Sequence, residues 1–317
     1  MSTLRGVIVP VAVPVGKDYS VDPSGLERLV EFLIGNGAHQ LFANGSMGAF
    51  AMLPDATQEE VVERVVSIAN GRVPVHGGIS DSGSTRVMEK IRTIGRQPVD
   101  SLILLPPYYY IYQQQELIRF FLNAADHAEK PIVLYDNPRL VSNSLSVESI
   151  VRLAEHPNII GIKFSGTDVS RWMDLLRAPL PRQRFALISG AGKMTSLALQ
   201  LGFDGITEGL HNIIPDVARQ IYDTAARGDY KAADLIQQKI NRCFRILEVD
   251  GGWRGLELSF QYMGIARQAT IHPFDTPMEE KKRRRVLEML EQEGILKPYV
   301  SLLTDAGTED PCMRSIA

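Results

Sequence analysis

A lysine at the end of a short apolar run is the first feature of this sequence that could do chemistry. Lys163 follows the run Ile159 to Ile162, which is typical of a buried strand. A buried ammonium without a partner tends to lose its proton, and the neutral amine can form a Schiff base with a carbonyl compound. A second apolar run, Pro131 to Leu134, ends in Tyr135. The residues alone also allow a simpler interpretation, in which Lys163 reaches the surface as strand-end lysines commonly do.

Composition excludes several classes of protein. The chain has 317 residues and a net charge of −3, so it carries no general electrostatic signature of a nucleic-acid-binding protein. The basic run Lys281 to Arg285 is flanked by glutamates and is typical of a solvated helix face. Cys243 and Cys312 have no disulfide or metal-site spacing, Met1 to Arg5 lacks a signal-peptide pattern, and no apolar run is long enough to span a membrane. We therefore predict a cytoplasmic protein with neither nucleic-acid nor membrane partners.

Short apolar runs alternate with longer amphipathic runs along most of the chain. The predicted strands are Gly6 to Pro14, Gln40 to Ala43, Val73 to His76, Ser101 to Leu104, Pro131 to Tyr135, Ile159 to Lys163, Phe185 to Ser189 and Asp204 to Thr207. The helices predicted between them are Asp22 to Leu33, Ala56 to Ile68 with Asp55 as N-cap, Ser84 to Ile94, Gln113 to His127, Ser146 to Glu155, Val169 to Leu176 and Met194 to Leu201. This alternation predicts an α/β fold, a (β/α)8 TIM barrel. A doubly wound open sheet is the alternative, but the first unit lacks a glycine-rich dinucleotide motif.

The alternation stops after the eighth predicted strand. Four further helices are predicted at Ile214 to Arg227, Asp229 to Leu247, Leu256 to Met263 and Met278 to Gln292. We therefore assign residues 1–212 to the barrel, 213–300 to a helical region packed on it, and 301–317 to a flexible polar tail.

Barrel enzymes place their active sites at the carboxyl ends of the strands, and several polar features of this chain fall there. The turn Gly45 to Gly48 can direct backbone N–H groups towards a carboxylate, although it could also be only a tight turn. The cluster Tyr108 to Tyr112 follows the fourth strand and could equally be interface packing. With Tyr135 and Lys163, these features occupy one face of the predicted barrel.

The ordered set of motifs resembles a known family. Gly45-Ser46-x-Gly48, Tyr108-Tyr109, Tyr135-Asp136-Asn137-Pro138 and Gly161-Ile162-Lys163-x-Ser165 look like the motifs of the dihydrodipicolinate synthase / N-acetylneuraminate lyase family of pyruvate-dependent aldolases. The resemblance extends from about Gly6 to Gly294. It implies a class I lyase in which Lys163 forms an imine with pyruvate or another 2-keto acid, without a cofactor and without a metal.

The resemblance also implies roles for other residues. Tyr135 would be the acid and base that moves protons, with Ser46 and Tyr109 completing a proton relay. Because the family donates the second tyrosine from a neighbouring subunit, Tyr109 implies a homo-oligomer, a dimer of dimers. Backbone N–H groups near Ser46 and Met47 would hold the carboxylate of the substrate.

Substrate recognition departs from the family pattern. The predicted substrate-binding residues are Gly45, Met47, Gly48, Gly190, Ile206, Lys193 and Arg139. Met47 and Ala49 replace a threonine and a glutamate of the family turn. The arginine of the true synthases, two residues after the proline of the tyrosine motif, is Leu140 here, and Arg139 comes one residue early. Two further candidates for contacts with substrate hydroxyls are Glu208 and His211.

Several functions stay open at this stage. The leading one is a lyase for aldol cleavage or condensation, or for dehydration of a 2-keto-3-deoxy acid. One alternative is 4-hydroxy-tetrahydrodipicolinate synthase of lysine biosynthesis, and another is a non-catalytic sensor that binds a keto acid. A metal-dependent aldolase is less favoured because the six histidines are scattered, only His76 and His211 could lie near the mouth, and no cluster of metal ligands is found.

Overall fold

The computed structural model describes residues 4–299 of the chain, and within this range eight parallel strands close into a barrel in sequence order. The strands are β1 Gly6–Pro10, β2 Gln40–Ala43, β3 Val75–Gly78, β4 Ser101–Leu104, β5 Ile132–Asp136, β6 Ile159–Phe164, β7 Ala186–Ser189 and β8 Gly205–Ile206. The predicted fold class is therefore confirmed. The bounds differ most at β1, which ends at Pro10 rather than Pro14, and at β3, which begins at Val75 rather than Val73.

Helices cover the outside of the barrel and extend beyond it. They are α1 Pro23–Gly35, α2 Asp55–Ala69, α3 Ser84–Thr93, α4 Gln114–His127, α5 Val147–Ala154, α6 Val169–Arg177, α7 Thr195–Leu201, α8 Pro215–Ala226, α9 Tyr230–Glu248, α10 Trp253–Met263 and α11 Glu280–Gln292. Asp22 caps α1 by accepting the N–H of Gly25 at 3.0 Å. Asp55 is the first residue of α2 rather than its N-cap, a position that Pro54 occupies.

Buried side chains form two apolar clusters, as expected for a closed barrel with an outer ring of helices. The larger cluster lies between strands and helices, with Leu41, Leu134 and Trp172 among its members. The smaller cluster includes Phe42 and Tyr135, and its members alternate along the strands with those of the larger cluster. Because successive strand residues point to opposite faces, this alternation assigns the smaller cluster to the barrel interior.

The helices after β8 differ in what they contact. α8 packs against α7 and β1, so it acts as the eighth helix of the barrel, and the boundary predicted at residue 212 precedes it. α9 packs on α7 and α8, and α10 and α11 pack on α9. The structure thus favours a barrel that extends through Ala226, followed by three appended helices. The tail predicted at 301–317 lies outside the described residues. Among those residues, no helix has the length and apolarity needed to cross a membrane.

Candidate active site

Strand register brings the amine and the phenol together. Tyr135 on β5 and Lys163 on β6 are direct pairing partners, so both side chains point into the barrel. The Nζ atom of Lys163 lies 3.7 Å from the centroid of the Tyr135 ring and 5.3 Å from that of Phe42. Lys163 is only 7% exposed. The alternative in which this lysine extends to the surface is therefore wrong.

The hydroxyl of Tyr135 is the point on which several polar groups converge. Ser46 Oγ lies 3.4 Å from Tyr135 Oη, and Asn137 Nδ2 donates to the same oxygen at 3.0 Å. Burial alone would raise the pKa of Tyr135, but the charge of Lys163 and the hydrogen-bonding groups of Ser46 and Asn137 outweigh it, and the pKa is lowered from 10.0. The site therefore favours the phenolate more than water does.

The next residue of β5 anchors the strand from outside. Asp136 is fully buried and accepts hydrogen bonds from Arg171 Nη2 at 2.6 Å and from Ser144 Oγ at 2.9 and 3.0 Å. Burial raises the pKa of Asp136, while Arg171 and Ser144 oppose that shift. Since side chains alternate along a strand, this outward anchor leaves Tyr135 directed inward.

The turn after β2 forms the opposite wall. A Cβ on Gly45 would lie 2.7 Å from the Phe42 ring, so the turn needs glycine there to approach the barrel. Ser46–Gly48 forms one turn of 3-10 helix, and Gly48 is buried. Met47 covers Gly209, where a Cβ would lie 2.4 Å from the methionine sulfur. The turn thereby places Ser46 next to Tyr135 and packs Met47 against Gly209, in the segment that follows β8.

A buried polar network that the sequence analysis missed supports this turn. Lys90 Nζ lies 3.0 Å from Asp81 Oδ2 and donates to Gln58 Oε1 at 2.6 Å. Asn44, which directly precedes Gly45, donates to the same Gln58 oxygen at 3.0 Å. A helical lysine carries no sign of burial in the sequence. Only the tertiary structure shows that Lys90 is a buried partner of this network rather than a surface charge.

The structure does not bring Tyr109 to Tyr135 within one chain. Tyr109 is 77% exposed, and its ring packs edge-on against Tyr110. Ile111 is also largely exposed, whereas Tyr108 packs against Phe50. The role of Tyr109 in a relay stays a prediction.

The remaining predicted substrate-binding residues surround the mouth at different depths. Gly190 follows β7 and is buried against Ser165, and Ile206 is buried at the end of β8. Arg139 is exposed on the turn after β5. Lys193 is half-exposed, and its ammonium pairs with Glu248 of α9.

Glu208 lies deeper in the site than Lys193. Its carboxylate accepts the N–H groups of Gly209 at 2.7 Å and Gly192 at 3.4 Å. Burial raises the pKa of Glu208, and these N–H groups together with the charges of Lys163 and Arg139 counteract part of that effect. The role of Glu208 in contacts with substrate hydroxyls stays a prediction.

The two histidines considered near the mouth are placed differently. His76 does not lie at the mouth: its Nε2 lies 2.6 Å from Gln40 Oε1 and its Nδ1 lies 2.7 Å from Ser101 Oγ. Gln40 and Ser101 begin their strands, so this network lies at the base of the barrel. His211 is buried just after β8, and burial lowers its pKa to about 3.

Two site residues had no role in the sequence analysis. Phe42 is a second aromatic neighbour of the Lys163 ammonium, farther away than Tyr135, and Asn137 donates to Tyr135. An inward position on β2 could have indicated Phe42 through strand alternation. The direction of the Asn137 side chain depends on the turn after β5, for which the sequence carries no comparable signal.

Comparison with known proteins agrees with this fold. The sequence model of the Dihydrodipicolinate synthetase family matches residues 3–293. A 4-hydroxy-tetrahydrodipicolinate synthase of Stenotrophomonas maltophilia (strain R551-3) is 31% identical over 73% of this chain and 77% of its own length. The corresponding synthase of Shewanella denitrificans is 30% identical over 91% of this chain and 98% of its own length. The structure of chloride-inhibited dihydrodipicolinate synthase from Acinetobacter baumannii complexed with pyruvate superposes with a TM-score of 0.87, at 29% identity, over 93% of this chain and all of that one.

A closed (β/α)8 barrel with an amine, a phenol and a hydroxyl gathered at the carboxyl ends of its strands defines a barrel enzyme of the lyase class. The chain belongs to the Dihydrodipicolinate synthetase family, whose model covers almost all of it. The predictions of the family, of the barrel and of a lyase are therefore confirmed.

Proposed function

We propose that this protein forms an imine between Lys163 and pyruvate or another 2-keto acid, and uses it for aldol cleavage, condensation or dehydration. The observation that carries this proposal is the buried Lys163 amine, which lies over the Tyr135 ring at the mouth of the barrel. The pyruvate in the Acinetobacter baumannii relative supports a keto-acid substrate for this chain. A non-catalytic sensor would need only a binding pocket, whereas this site also holds a proton carrier beside the amine.

In this proposal, each step of imine formation has its own group. Tyr135 as phenolate takes a proton from the Lys163 ammonium, and the neutral amine attacks C2 of the keto acid. Tyr135 then gives its proton to the oxygen on C2 and takes one from the cationic nitrogen of the adduct. A second proton from Tyr135 to the same oxygen lets the C–O bond break and releases water, which returns Tyr135 to the phenolate. The product is a protonated imine, an electron sink that permits cleavage or deprotonation at C3. No cofactor takes part in these steps.

The turn after β2 supplies the site for the carboxylate in this proposal. The N–H groups of Gly48 and Ala49 close the turn by donating to Gly45 and Ser46. We assign the N–H groups of Ser46 and Met47 to the substrate carboxylate, and the Ser46 hydroxyl to the relay with Tyr135. Glu208 faces the distal part of the substrate.

Tyr109 requires a second subunit in this proposal. Tyr109, Tyr110 and Ile111 form an exposed apolar group. Burial of this group against another copy of the chain would remove its apolar surface from water. We propose a cytoplasmic homotetramer, a dimer of dimers, in which Tyr109 of one subunit reaches Ser46 of the other. Size measurement in solution by light scattering tests the assembly, and a monomer would contradict it.

A keto-acid screen with borohydride tests the imine. Each 2-keto acid is incubated with the protein and borohydride, and the intact mass is measured. A substrate should increase the intact mass by one reduced adduct per chain. The mass of the Lys163→Ala variant should not change. Activity should survive EDTA. Failure of every keto acid to add mass, or an activity that EDTA removes and a divalent ion restores, would contradict the proposal.

The names of the relatives make 4-hydroxy-tetrahydrodipicolinate synthase the second candidate. By family resemblance, its arginine anchors the carboxylate of an amino-acid semialdehyde, and Leu140 replaces that arginine here with its side chain mostly exposed. A lost charge-assisted contact reduces binding about ten- to a hundredfold. We therefore expect higher kcat/KM on 2-keto-3-deoxy acids than on pyruvate with aspartate semialdehyde. Efficient synthase activity that Arg139→Ala abolishes would show that Arg139 anchors the semialdehyde instead.

A further inference from the structure

Asn137 holds its side-chain amide in one orientation against the Tyr135 hydroxyl. Its Oδ1 accepts the backbone N–H of Arg139 at 3.3 Å, and its Nδ2 donates to Tyr135 Oη at 3.0 Å. Turning the amide over would place the NH2 group against the Arg139 N–H, which is donor against donor. The Asn137 side chain can therefore only donate to Tyr135.

The backbone of Asn137 is held as firmly as its amide. Its carbonyl accepts the N–H groups of Leu140 at 3.0 Å and Val141 at 3.1 Å, and the residue is only 7% exposed. A donor fixed at backbone and side chain needs no reorganisation when charge develops on the oxygen that it faces. Asn137 thus differs from Ser46, whose hydroxyl can rotate and lies farther away, at 3.4 Å.

We propose that Asn137 is a positioning residue for proton transfer. Its amide stabilises the Tyr135 phenolate and directs the proton of the neutral phenol away from Asn137. Because a donor occupies one side of Tyr135 Oη, the proton of the neutral phenol must point to another acceptor, and the Ser46 hydroxyl at 3.4 Å can accept it. This inference rests on the proposed function. It gives a function to Asn137, the third residue of the Tyr135-Asp136-Asn137-Pro138 motif.

The chemical consequence is confined to one reversible proton transfer. The Lys163 ammonium gives its proton to the Tyr135 phenolate, which yields a neutral amine and a neutral phenol with no change in total charge. The Asn137 donor stabilises the phenolate before this step and again after the phenol has given its proton to the leaving water. Loss of the donor should raise the pKa of Tyr135, so that less phenolate is present at neutral pH.

The test compares Asn137→Asp with the unchanged protein. Aspartate keeps the acceptor for the Arg139 N–H but replaces the donor with a negative charge. With tyrosine labelled at Cζ with 13C, the Tyr135 signal is assigned among the ten tyrosines by its loss in Tyr135→Phe. We expect the titration of this signal to move to higher pH. We also expect the rate of borohydride trapping with pyruvate at neutral pH to fall about tenfold or more, and to recover as the pH is raised.

Two further variants separate this role from folding. Asn137→Val removes the donor without adding charge, and should shift the titration in the same direction by less. Asn158→Asp is the matched control, since Asn158 Nδ2 donates to the carbonyls of Ala125 and Ala128 before β6, at the base. It should lower the melting temperature without moving the Tyr135 titration.

The outcomes are distinct. An unmoved Tyr135 titration in Asn137→Asp, or trapping that is lost equally at every pH, would overturn the role of Asn137. If the unchanged protein traps no keto acid while the Tyr135 titration still moves, the proposed function fails and the electrostatic role of Asn137 stands.

Discussion

His76 at the base of the barrel and Lys163 at its mouth are both buried, at 4% and 7% exposure. At the base, each ring nitrogen of His76 has its own partner, Gln40 or Ser101. At the mouth, Lys163 lies over aromatic rings, and two polar groups, those of Ser46 and Asn137, contact the single oxygen of Tyr135.

The difference separates a structural polar network from a reactive one. Burial lowers the pKa of His76 to about 4, so the base holds a neutral ring whose hydrogen bonds are complete. The groups around Tyr135 lower its pKa instead, and so favour a charge in a buried place. A buried site that stabilises charge on a proton carrier is suited to proton transfer, whereas a neutral satisfied one is suited to stability.

Among variants that test this difference between mouth and base, Tyr135→Phe should have the largest effect on turnover. The ring stays, so packing against Phe42 should persist, but the proton carrier is lost. We expect turnover to fall about 100-fold or more, with a small change in melting temperature. His76→Leu is the counterpart at the base. It should lower the melting temperature and leave turnover per folded molecule unchanged, and a large loss of turnover there would break the distinction.

Acid should destabilise the fold through buried neutral histidines. The pKa of His211 falls from 6.5 to about 3 on folding, so the unfolded chain binds an extra proton between these values. The contribution of this histidine to stability is complete above pH 6.5 and declines as the pH falls. We expect a loss of about 2 kcal/mol in the free energy of unfolding at pH 5.

Urea unfolding at several pH values measures this loss, and His211→Gln should give a shallower dependence on pH. The same slope in the variant and the unchanged protein would show that His211 is not the group responsible. His76 should contribute a similar slope from the base of the barrel, because its pKa is also lowered by burial.

A smaller effect is expected from Tyr109→Phe, because the relay keeps Ser46 and Tyr135. We expect a milder fall in turnover than for Tyr135→Phe. Since Tyr109 is exposed in its own chain, mixing inactive Lys163→Ala chains with Tyr109→Phe chains under subunit exchange should recover activity. No recovery, with exchange confirmed by mass, would place Tyr109 outside the neighbouring site.

The sequence predicted the barrel well because its strands are short apolar runs between amphipathic helices, and period and length distinguish the two. It also predicted that Tyr135 and Lys163 would meet, since parallel strand ends share one face. It could not predict the partners of these residues. The contacts of Lys90 with Gln58 and Asp81, and the direction of Asn137, depend on tertiary packing and on turn geometry rather than on periodicity. His76 was misplaced because a strand residue points inward at either end of a barrel.

The most direct test of the central claim is to map the borohydride-reduced adduct to a single residue. The protein is treated with pyruvate, or with the keto acid that modifies the largest fraction of chains, and is then reduced with borohydride and digested. The peptides are sequenced by tandem mass spectrometry. We predict that the reduced adduct lies on Lys163 alone, and that Tyr135→Phe forms it more slowly at the same position. An adduct on another lysine, with Lys163 unmodified, would contradict the account.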